Sequence, residues 1–262
     1  YSLDYSLVTP DHQMVKGSFS GTDWDQKGYE EYVERSKRKL VLMERKPIQM
    51  KTGDYRTWFE SAAVSDFLGM FSWNGISEAS LRQGCSGFGK MRHNDTRLSP
   101  KFSIVEDFSP GFCPKFNSDG EVAPNSLALI ENGMLKNTLV SSRSAKEYGL
   151  SSNYAESGEY LRSPKMSTGT LSHDDVVKTL DKGLFLSNIH YLNWSDNPGG
   201  RITGLTRYAC FWVEGGEIVA PIETMRFDDS FYRFFGDQLV DVEDSQTVNP
   251  EVGTYGGRSL GA

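Results

Sequence analysis

The side chains that most often carry catalysis or bind metals are sparse and scattered in this sequence of 262 residues. Its four histidines, His12, His93, His173 and His190, stand far apart along the chain. A zinc site built on one helix needs two ligands about a turn apart, as in His-Glu-x-x-His, and no such pair occurs. The pattern therefore predicts no self-contained zinc site in this chain.

The cysteines give little support to covalent catalysis. Cys85, Cys113 and Cys210 are odd in number and none belongs to a C-x-x-C pair, which disfavours a disulfide framework and indicates a reducing compartment. A nucleophile and its histidine meet in space and not along the chain, so an independent hydrolase built around one of these thiols stays open as an alternative. Buried structural thiols are the simpler interpretation, and the Gly-x-Ser-x-Gly elbow of serine hydrolases is absent.

A polar stretch from Asn193 to Arg207 is the best local candidate for ligand contact. It follows His190 and Tyr191 directly and combines several hydrogen-bonding side chains with two adjacent glycines. Such a composition suits a loop that approaches a ligand closely. A polar surface loop is an equally good interpretation of the same residues.

Composition excludes two classes of partner. The formal net charge is -7, and the 28 Lys and Arg residues are interspersed with 35 Asp and Glu, so we expect no direct binding of nucleic acid. No apolar run approaches the roughly 20 residues that cross a bilayer, and the first residues lack the features of a signal peptide. We expect a cytoplasmic protein.

Because the chain begins at Tyr1 without Met and stops at GGRSLGA, we also expect that material is missing at both ends.

Helices and strands alternate along the sequence. Residues 1–19 favour strands, Thr22 and Asp25 resemble a capping box, and a Thr-Gly-Asp turn precedes an apolar run rich in Ala, Phe, Leu and Met. The predicted helices run from this capping box to about Met43, from Thr57 to about Trp73, from Ser77 to Gln83, from Arg143 to Tyr148 with a stop at Gly149, and from His173 to Lys182 between Ser172 and Gly183.

Two tight hairpins are the clearest local pattern. Asn132-Gly133 and Gly215-Gly216 each separate apolar runs, and both pairs favour the positive φ angles of a type I′ turn. We therefore expect an α+β fold with a curved or barrel-like, largely antiparallel sheet built from hairpins and with helices packed on one side. Residues 1–262 form one large domain or two tightly packed lobes.

The same hairpins carry a resemblance to a known family. SLALIENGMLKNTLVSSRSAKEYGL, with TRYACFWVEGGEIVAPIETMRF downstream, resembles the TldD/PmbA family, whose members are known as modulators of DNA gyrase and as microcin-processing peptidases. The resemblance covers about the last three-fifths of a family member, so the N-terminal domain of the family is expected to lie outside this sequence. It implies a heterodimeric cytosolic metalloprotease in which the TldD branch carries zinc and the PmbA (TldE) branch does not.

The zinc motif of the TldD branch, His-Glu-x-x-x-His, falls in this family on the helix predicted from Thr57 to Trp73. In the matching register Leu68 and Trp73 stand at the two histidine positions and Gly69 at the glutamate position. These side chains neither bind zinc nor activate its water. A further cysteine ligand would fall near Tyr255 and Gly256 and is also absent. The chain therefore resembles the zinc-free branch, with no cofactor of its own and with zinc expected in the partner subunit.

Two hypotheses follow from the resemblance. The first is a non-catalytic PmbA/TldE-like subunit that joins a TldD-like zinc protease and helps it process unfolded peptides, which the family holds as an added strand in an enclosed cavity. The second is a homo-oligomeric, homodimeric for example, binding or scaffold protein of the gyrase-modulator type without catalysis. Whether the chain is an enzyme by itself stays open. From residue types alone we expect four side chains to face the cavity: His190, Tyr191, Arg201 and Arg207.

Overall fold

The computed structural model describes residues 1–93 and 95–249 of the chain. In chain order its strands are β1 (Ser2–Val8), β2 (Met14–Ser20), β3 (Thr57–Phe59), β4 (Ile104–Asp107), β5 (Ser126–Glu131), β6 (Met134–Leu135), β7 (Pro164–Met166), β8 (Gly183–Asp196), β9 (Arg201–Glu214), β10 (Glu217–Pro221) and β11 (Arg226–Ser230). Its α-helices are α1 (Gln26–Met43), α2 (Ser61–Phe71), α3 (Glu78–Arg82), α4 (Gly89–Arg92), α5 (Ser142–Tyr148) and α6 (Val176–Leu180), with a 3-10 turn at His173–Asp175 and a π-helical turn at Arg233–Asp237.

The strands form three sheets, which confirms the predicted α+β class. β1 and β2 pair as an isolated hairpin; a second sheet has the order β10-β9-β8-β3, with β11 also paired to β9; a third has the order β6-β5-β4-β7. Pairing is antiparallel except between β3 and β8. The sheets are curved, and none of those described closes into a barrel. The division into one domain or two lobes stays a prediction.

The hairpin of β8 and β9 replaces the polar loop expected at Asn193–Arg207. Each strand has 14 residues, and the turn between them covers only the four residues from Asn197 to Gly200. Their register shifts between Leu186 and Asn188, between His190 and Asn193, and between Trp194 and Asp196. Such bulges interrupt the alternation of polar and apolar residues, which is why the pattern did not indicate strands here.

The helix expected from Thr57 to Trp73 is shorter at both ends. Its first residues, Thr57–Phe59, form β3, because β-branched and aromatic side chains favour the extended backbone that pairs with Leu184–Leu186 of β8. The helix itself begins at Ser61 and ends at Phe71. The first helix also starts later than the capping box implied, since Asp25 and not Thr22 accepts the capping hydrogen bond, from Gly28 N–H.

Both predicted hairpin turns are confirmed. Asn132 and Gly133 have φ angles of 49° and 77°, and Gly215 and Gly216 have 64° and 72°, as a type I′ turn requires. The helix ended by Gly149 is confirmed as well, because Gly149 adopts the left-handed conformation directly after α5. The short helix after Ser77 and the strands of residues 1–19 are present at nearly the predicted bounds.

The largest core surrounds α2. Phe67 and Phe71 are fully buried on that helix and make ring contacts with Phe235 of the π-helical turn, and Phe71 also contacts Phe88 and Phe231. Buried aromatic side chains of this size contribute much of the apolar area that folding removes from water. They fix one side of α2 to the core and leave its opposite side to line a cavity. Among the described residues, no helix is long and apolar enough to cross a membrane.

Candidate functional site

The structure contains a cavity of about 1920 Å³ that is lined by residues from distant parts of the chain. Its walls come from α1, β3, α2 and β8, from the residues around His173, and from an extended segment at residues 240–249. Pockets for drug-sized ligands measure about 300–1,000 Å³. The volume therefore suits a peptide or another extended chain better than a small metabolite.

One wall of the cavity is the side of α2 that faces away from the aromatic core. Ser65, Leu68, Gly69 and Ser72 line it, and Gly69 has no heavy atom within 4 Å of where a Cβ would lie. A helix places residues three and four positions apart on the same side, which is why these four residues share one wall. None of the four carries an ionisable side chain.

A second wall is formed by one face of α1. Tyr32, Arg35, Ser36 and Lys39 follow the spacing of a single helix face and all line the cavity. Tyr32 Oη accepts a hydrogen bond from Ser18 N–H of β2 at 3.2 Å, which fixes the helix against the N-terminal hairpin. Burial raises the pKa of the Tyr32 hydroxyl, so it remains protonated at neutral pH.

Charged groups gather where α1 approaches the start of α2. Lys39 Nζ donates to both carboxylate oxygens of Glu60 at 2.5 and 2.6 Å, and both side chains are largely buried. The Arg35 guanidinium lies 5.6 Å from the centre of the Tyr32 ring on the same face of α1. This end of the cavity holds fixed charges of both signs.

His173 and Glu243 form the other charge pair of this region. His173 Nδ1 lies 3.0 Å from Glu243 Oε1. The hydrogen bond to Glu243 raises the pKa of His173, whereas burial lowers it and the Arg35 charge also lowers it. Burial alone would raise the pKa of Glu243, but the hydrogen bond and charge of His173 bring it below its ordinary value. Both partners are therefore charged in slightly acidic solution, between the ordinary pKa values of 4.5 and 6.5.

The four side chains expected to face the cavity lie on the β8–β9 hairpin, and none of them lines this cavity. The His190 and Tyr191 rings are 4.5 Å apart, and Tyr191 is 77% exposed. The Arg207 guanidinium lies 4.5 Å from the Tyr208 ring, and Arg201 pairs with Asp228. Burial and the nearby Arg207 charge lower the pKa of His190. A role of these four residues in binding a ligand stays a prediction.

The cysteines are not gathered at one place. Cys210 is buried in β9, where burial raises the pKa of its thiol to about 11, while Cys85 is exposed and Cys113 is half-buried. A thiol with so high a pKa is a poor nucleophile at neutral pH. Within residues 1–93 and 95–249, no three or more His, Cys, Asp or Glu side chains are grouped so that they could hold a metal ion.

The sequence matches one family over most of its length. Residues 52–258 fit the model of the PmbA/TldA metallopeptidase C-terminal domain. The chain belongs to this family. No curated protein matches it significantly. The family match confirms the resemblance carried by the two hairpin blocks, both of which lie inside the matched region.

Solved structures of the TldD/PmbA family share the fold. A proposed modulator of a DNA gyrase from Thermotoga maritima is 17% identical with a TM-score of 0.78, over 95% of this chain and 58% of that one. TldE from Thermococcus kodakarensis is 18% identical with a TM-score of 0.70, over 99% and 59%. A proposed modulator of DNA gyrase from Bacteroides thetaiotaomicron is 17% identical with a TM-score of 0.72, over 94% and 55%. The chain thus spans less than three-fifths of each of these structures.

The three positions that the resemblance matches to the zinc motif of the TldD branch do not all line the cavity. Leu68 and Gly69 line the cavity, but Trp73 lies beyond the end of α2, is 55% exposed and does not line it. The Trp73 carbonyl accepts a hydrogen bond from the Trp194 indole, which holds this residue at the far side of the helix end. These residues do not fit zinc. The region expected to match the cysteine ligand, near Tyr255, lies outside the described residues.

The sequence pattern missed the residues that line the charged end of the cavity. Lys39 and Arg35 stood among many charges on α1, and His173 was an isolated histidine at a predicted helix start. Glu60 and Glu243 had no distinguishing neighbours at all. Only the folded chain brings these five side chains to one cavity, so no local signal in the sequence could have identified them.

Proposed function

We propose that the chain is a non-catalytic, PmbA/TldE-like subunit of a TldD-type cytosolic metallopeptidase that processes unstructured peptides. The observation that carries the proposal is that Leu68 and Gly69 of α2 line the cavity. The family resemblance matches these two positions to a zinc ligand and a general base. An aliphatic side chain and a glycine supply neither function. Zinc and the water it activates would come from a partner subunit.

The role left to this chain is to hold and position substrate. A cavity of about 1920 Å³ has room for an extended peptide, and main-chain hydrogen bonds, which every peptide can make, would contribute to its binding. The Lys39–Glu60 and His173–Glu243 pairs at one end place fixed charges on the wall. In an enclosed cavity such charges act on a substrate more strongly than they would in water.

The first test is purification of the full-length protein from native cytosol, with bound proteins identified and zinc measured in the same eluate. We expect a near-stoichiometric partner that carries His-Glu-x-x-x-His and about one zinc per pair, as a single catalytic site requires. A metal-free homo-oligomer without this partner would instead support a scaffold protein of the gyrase-modulator type, the alternative function.

A matched pair of substitutions tests whether substrate occupies this cavity. Gly69 and Gly89 are both helical and half-buried, and neither has a heavy atom within 4 Å of where a Cβ would lie, but only Gly69 lines the cavity. In the zinc-containing complex, Gly69→Phe should lower the rate of peptide cleavage by about tenfold or more because the ring enters the cavity. Gly89→Phe should leave it unchanged. Equal rates for both variants would show that peptides bind elsewhere.

A further inference from the structure

The tail segment, residues 240–249, is an extended stretch near the C-terminal end of the described residues that runs along the cavity wall. It pairs with the acceptor edge, residues Gly169–Leu171. Gly169 N–H donates to Glu243 O at 2.7 Å, Leu171 N–H donates to Val242 O at 3.1 Å, and Asp244 N–H donates to Leu171 O at 2.9 Å. Both the tail segment and Leu171 line the cavity.

The acceptor edge is shaped for the backbone of another strand. A Cβ on Gly169 would lie 2.3 Å from Val242 O, so any larger residue there would hold the tail segment away. Glycine at such a position permits the close approach of two backbones. The hydrogen bonds involve main-chain groups only, and these are present in every peptide.

The tail segment is held by polar contacts and contributes no residue to the buried apolar core. None of residues 240–249 belongs to the buried core, and the only strand-like pairing among them is the bridge between Leu171 and Glu243. Segments with few buried apolar contacts open at a low free-energy cost. A peptide that made the same hydrogen bonds could therefore displace the tail segment from the acceptor edge.

Two cations flank the acceptor edge at a spacing that matches an extended chain. Lys101 Nζ donates to Val240 O at 2.6 Å and lies 3.3 Å from Asp241 Oδ1, and His173 pairs with Glu243. Side chains two residues apart point to the same side of an extended strand. Asp241 and Glu243 have this spacing, so Lys101 and His173 together recognise the pattern acid-x-acid.

We propose that the acceptor edge, with Lys101 and His173 beside it, is a docking site for an extended peptide that carries two carboxylates two residues apart. The chain's own tail segment occupies this site in the absence of such a peptide. This inference rests on the proposed peptide-processing function, because that function supplies the class of ligand, a peptide. It adds to that function a preference for acidic peptides. This preference comes from the chain itself and needs no metal ion.

Binding at the site depends on pH through His173. Besides Glu243, the charged groups that act on His173 are Arg35 of α1, which lowers its pKa, and Glu60 at the start of α2, which raises it. Because the net pKa is raised above the ordinary 6.5, the attraction to a carboxylate is complete below that value and is lost as pH rises through the raised pKa.

The test uses the full chain with Asp241→Asn and Glu243→Gln, which loosen the tail segment, and a fluorescent peptide of the sequence VDVEDSQ. A matched peptide has Asn and Gln in place of the same two acids. By fluorescence anisotropy, we expect the acidic peptide to bind about tenfold more tightly at about pH 5.5, since each of two partly exposed ion pairs contributes about two- to fivefold. At about pH 9 the ratio should fall to about threefold, because His173 has lost its charge and only the ion pair with Lys101 is left.

Two single substitutions in that chain separate the contributions. His173→Ala should remove the dependence on pH, and Lys101→Ala should remove most of the preference that persists at high pH. Exchange of the Gly169 and Leu171 amides with deuterium should rise in the tail variant and fall again when the acidic peptide is added. A control chain with Asp11→Asn and Glu44→Gln, two exposed acids outside the cavity wall, makes the same change in charge and should exchange like the original.

Equal affinities for the two peptides, no binding of either, or a pH profile that His173→Ala leaves unchanged would each overturn the proposal. These outcomes are separate from failure of the proposed function. Absence of a zinc-bearing partner would reject the subunit role and still leave the acidic preference measurable on this chain. Loss of the acidic preference would reject this docking site and leave the partner in place.

Discussion

Glu106 is a buried carboxylate whose protonation is coupled to folding. It lies fully buried in β4, where its oxygens accept hydrogen bonds from the backbone N–H groups of Arg162 and Ser163. Burial raises its pKa to about 7, although these hydrogen bonds and the Arg162 charge oppose the shift. The side chain is therefore close to half-protonated at neutral pH, and folding is coupled to its protonation.

This coupling gives a prediction for stability against pH. The folded chain holds a proton on Glu106 that the unfolded chain releases at an ordinary pKa of 4.5. The stabilisation is complete below about pH 4.5 and is lost as pH rises to about 7, a change of roughly 3 kcal/mol. Glu106→Gln should remove this slope, as measured by urea unfolding between about pH 5 and 8. Parallel curves for the two proteins would contradict the assigned pKa.

At the residue scale, the sequence did not indicate which histidine lines the cavity. The lack of paired histidines and of a C-x-x-C motif was visible directly. The sequence contained no sign of which of the four histidines lines the cavity. His190 has the more polar neighbours in the sequence, but His173 is the histidine that lines the cavity. Burial and charge partners, which set the role of a histidine, come from residues far away in the chain.

At the scale of elements, one carboxylate caps two helices. Glu159 is 2% exposed and accepts hydrogen bonds from Ser77 Oγ and Ala79 N–H at the start of α3 and from Ser141 N–H and Oγ at the start of α5. Burial would raise its pKa, but these hydrogen bonds lower it below the ordinary value. An ionised carboxylate also interacts favourably with the positive ends of two helix dipoles.

Replacing this carboxylate should destabilise the fold at neutral pH. Glu159→Gln puts an NH2 donor where two of the four donors now point, so we expect a loss of about 2 kcal/mol in the free energy of unfolding by urea. Because the pKa is lowered in the folded chain, the stabilisation is present above the ordinary pKa of 4.5 and disappears as pH falls further. The exposed Glu147→Gln in α5 is the control and should change stability by less than about 0.5 kcal/mol. Similar losses in both variants would argue against the double cap.

The two type I′ turns differ in their surroundings, and this difference can be measured. A Cβ on Gly133 would lie 2.1 Å from Leu98 O, whereas Gly215 has no heavy atom within 4 Å of that position. Both residues have positive φ. Gly215→Ala should therefore cost only the conformational strain of about 1 kcal/mol, and Gly133→Ala about 3 kcal/mol or more, because the backbone must also move. Thermal unfolding of both variants tests this order, and equal costs would contradict it.

These turns also show which elements sequence can predict. Asn132-Gly133 and Gly215-Gly216 encode their hairpins within two residues, so the local pattern was sufficient. β3 was missed because its partner, β8, lies more than 120 residues downstream in the sequence, and the centre of the β8–β9 hairpin was missed because bulges break its alternation. Local chemistry specifies turns and caps, while strand partners and bulges depend on the rest of the fold.

At the scale of the whole molecule, the cavity combines parts that are distant in sequence. α1, α2, the residues around His173 and the tail segment each contribute one wall. Family membership could be predicted from two hairpin blocks, although those blocks supply little of the cavity surface. The register of the zinc motif is an expectation from the resemblance and stays a prediction. The sequence did not show that Trp73, the last position of the motif, lies outside the cavity, because this depends on where α2 ends.

The whole-molecule geometry therefore predicts that restoring the motif does not restore a zinc site. Here Trp73 lies beyond the helix end and outside the cavity wall, whereas Leu68 and Gly69 line the cavity. We expect the chain with Leu68→His, Gly69→Glu and Trp73→His to bind zinc no more tightly than the original chain in calorimetric titrations. The chain with Leu68→His and Gly69→Glu alone is the control, because both of these positions face the cavity. Stoichiometric, micromolar zinc binding by the triple variant only would mean that residue 73 can turn into the cavity, and that loss of the ligands alone separates this chain from a zinc-bearing subunit.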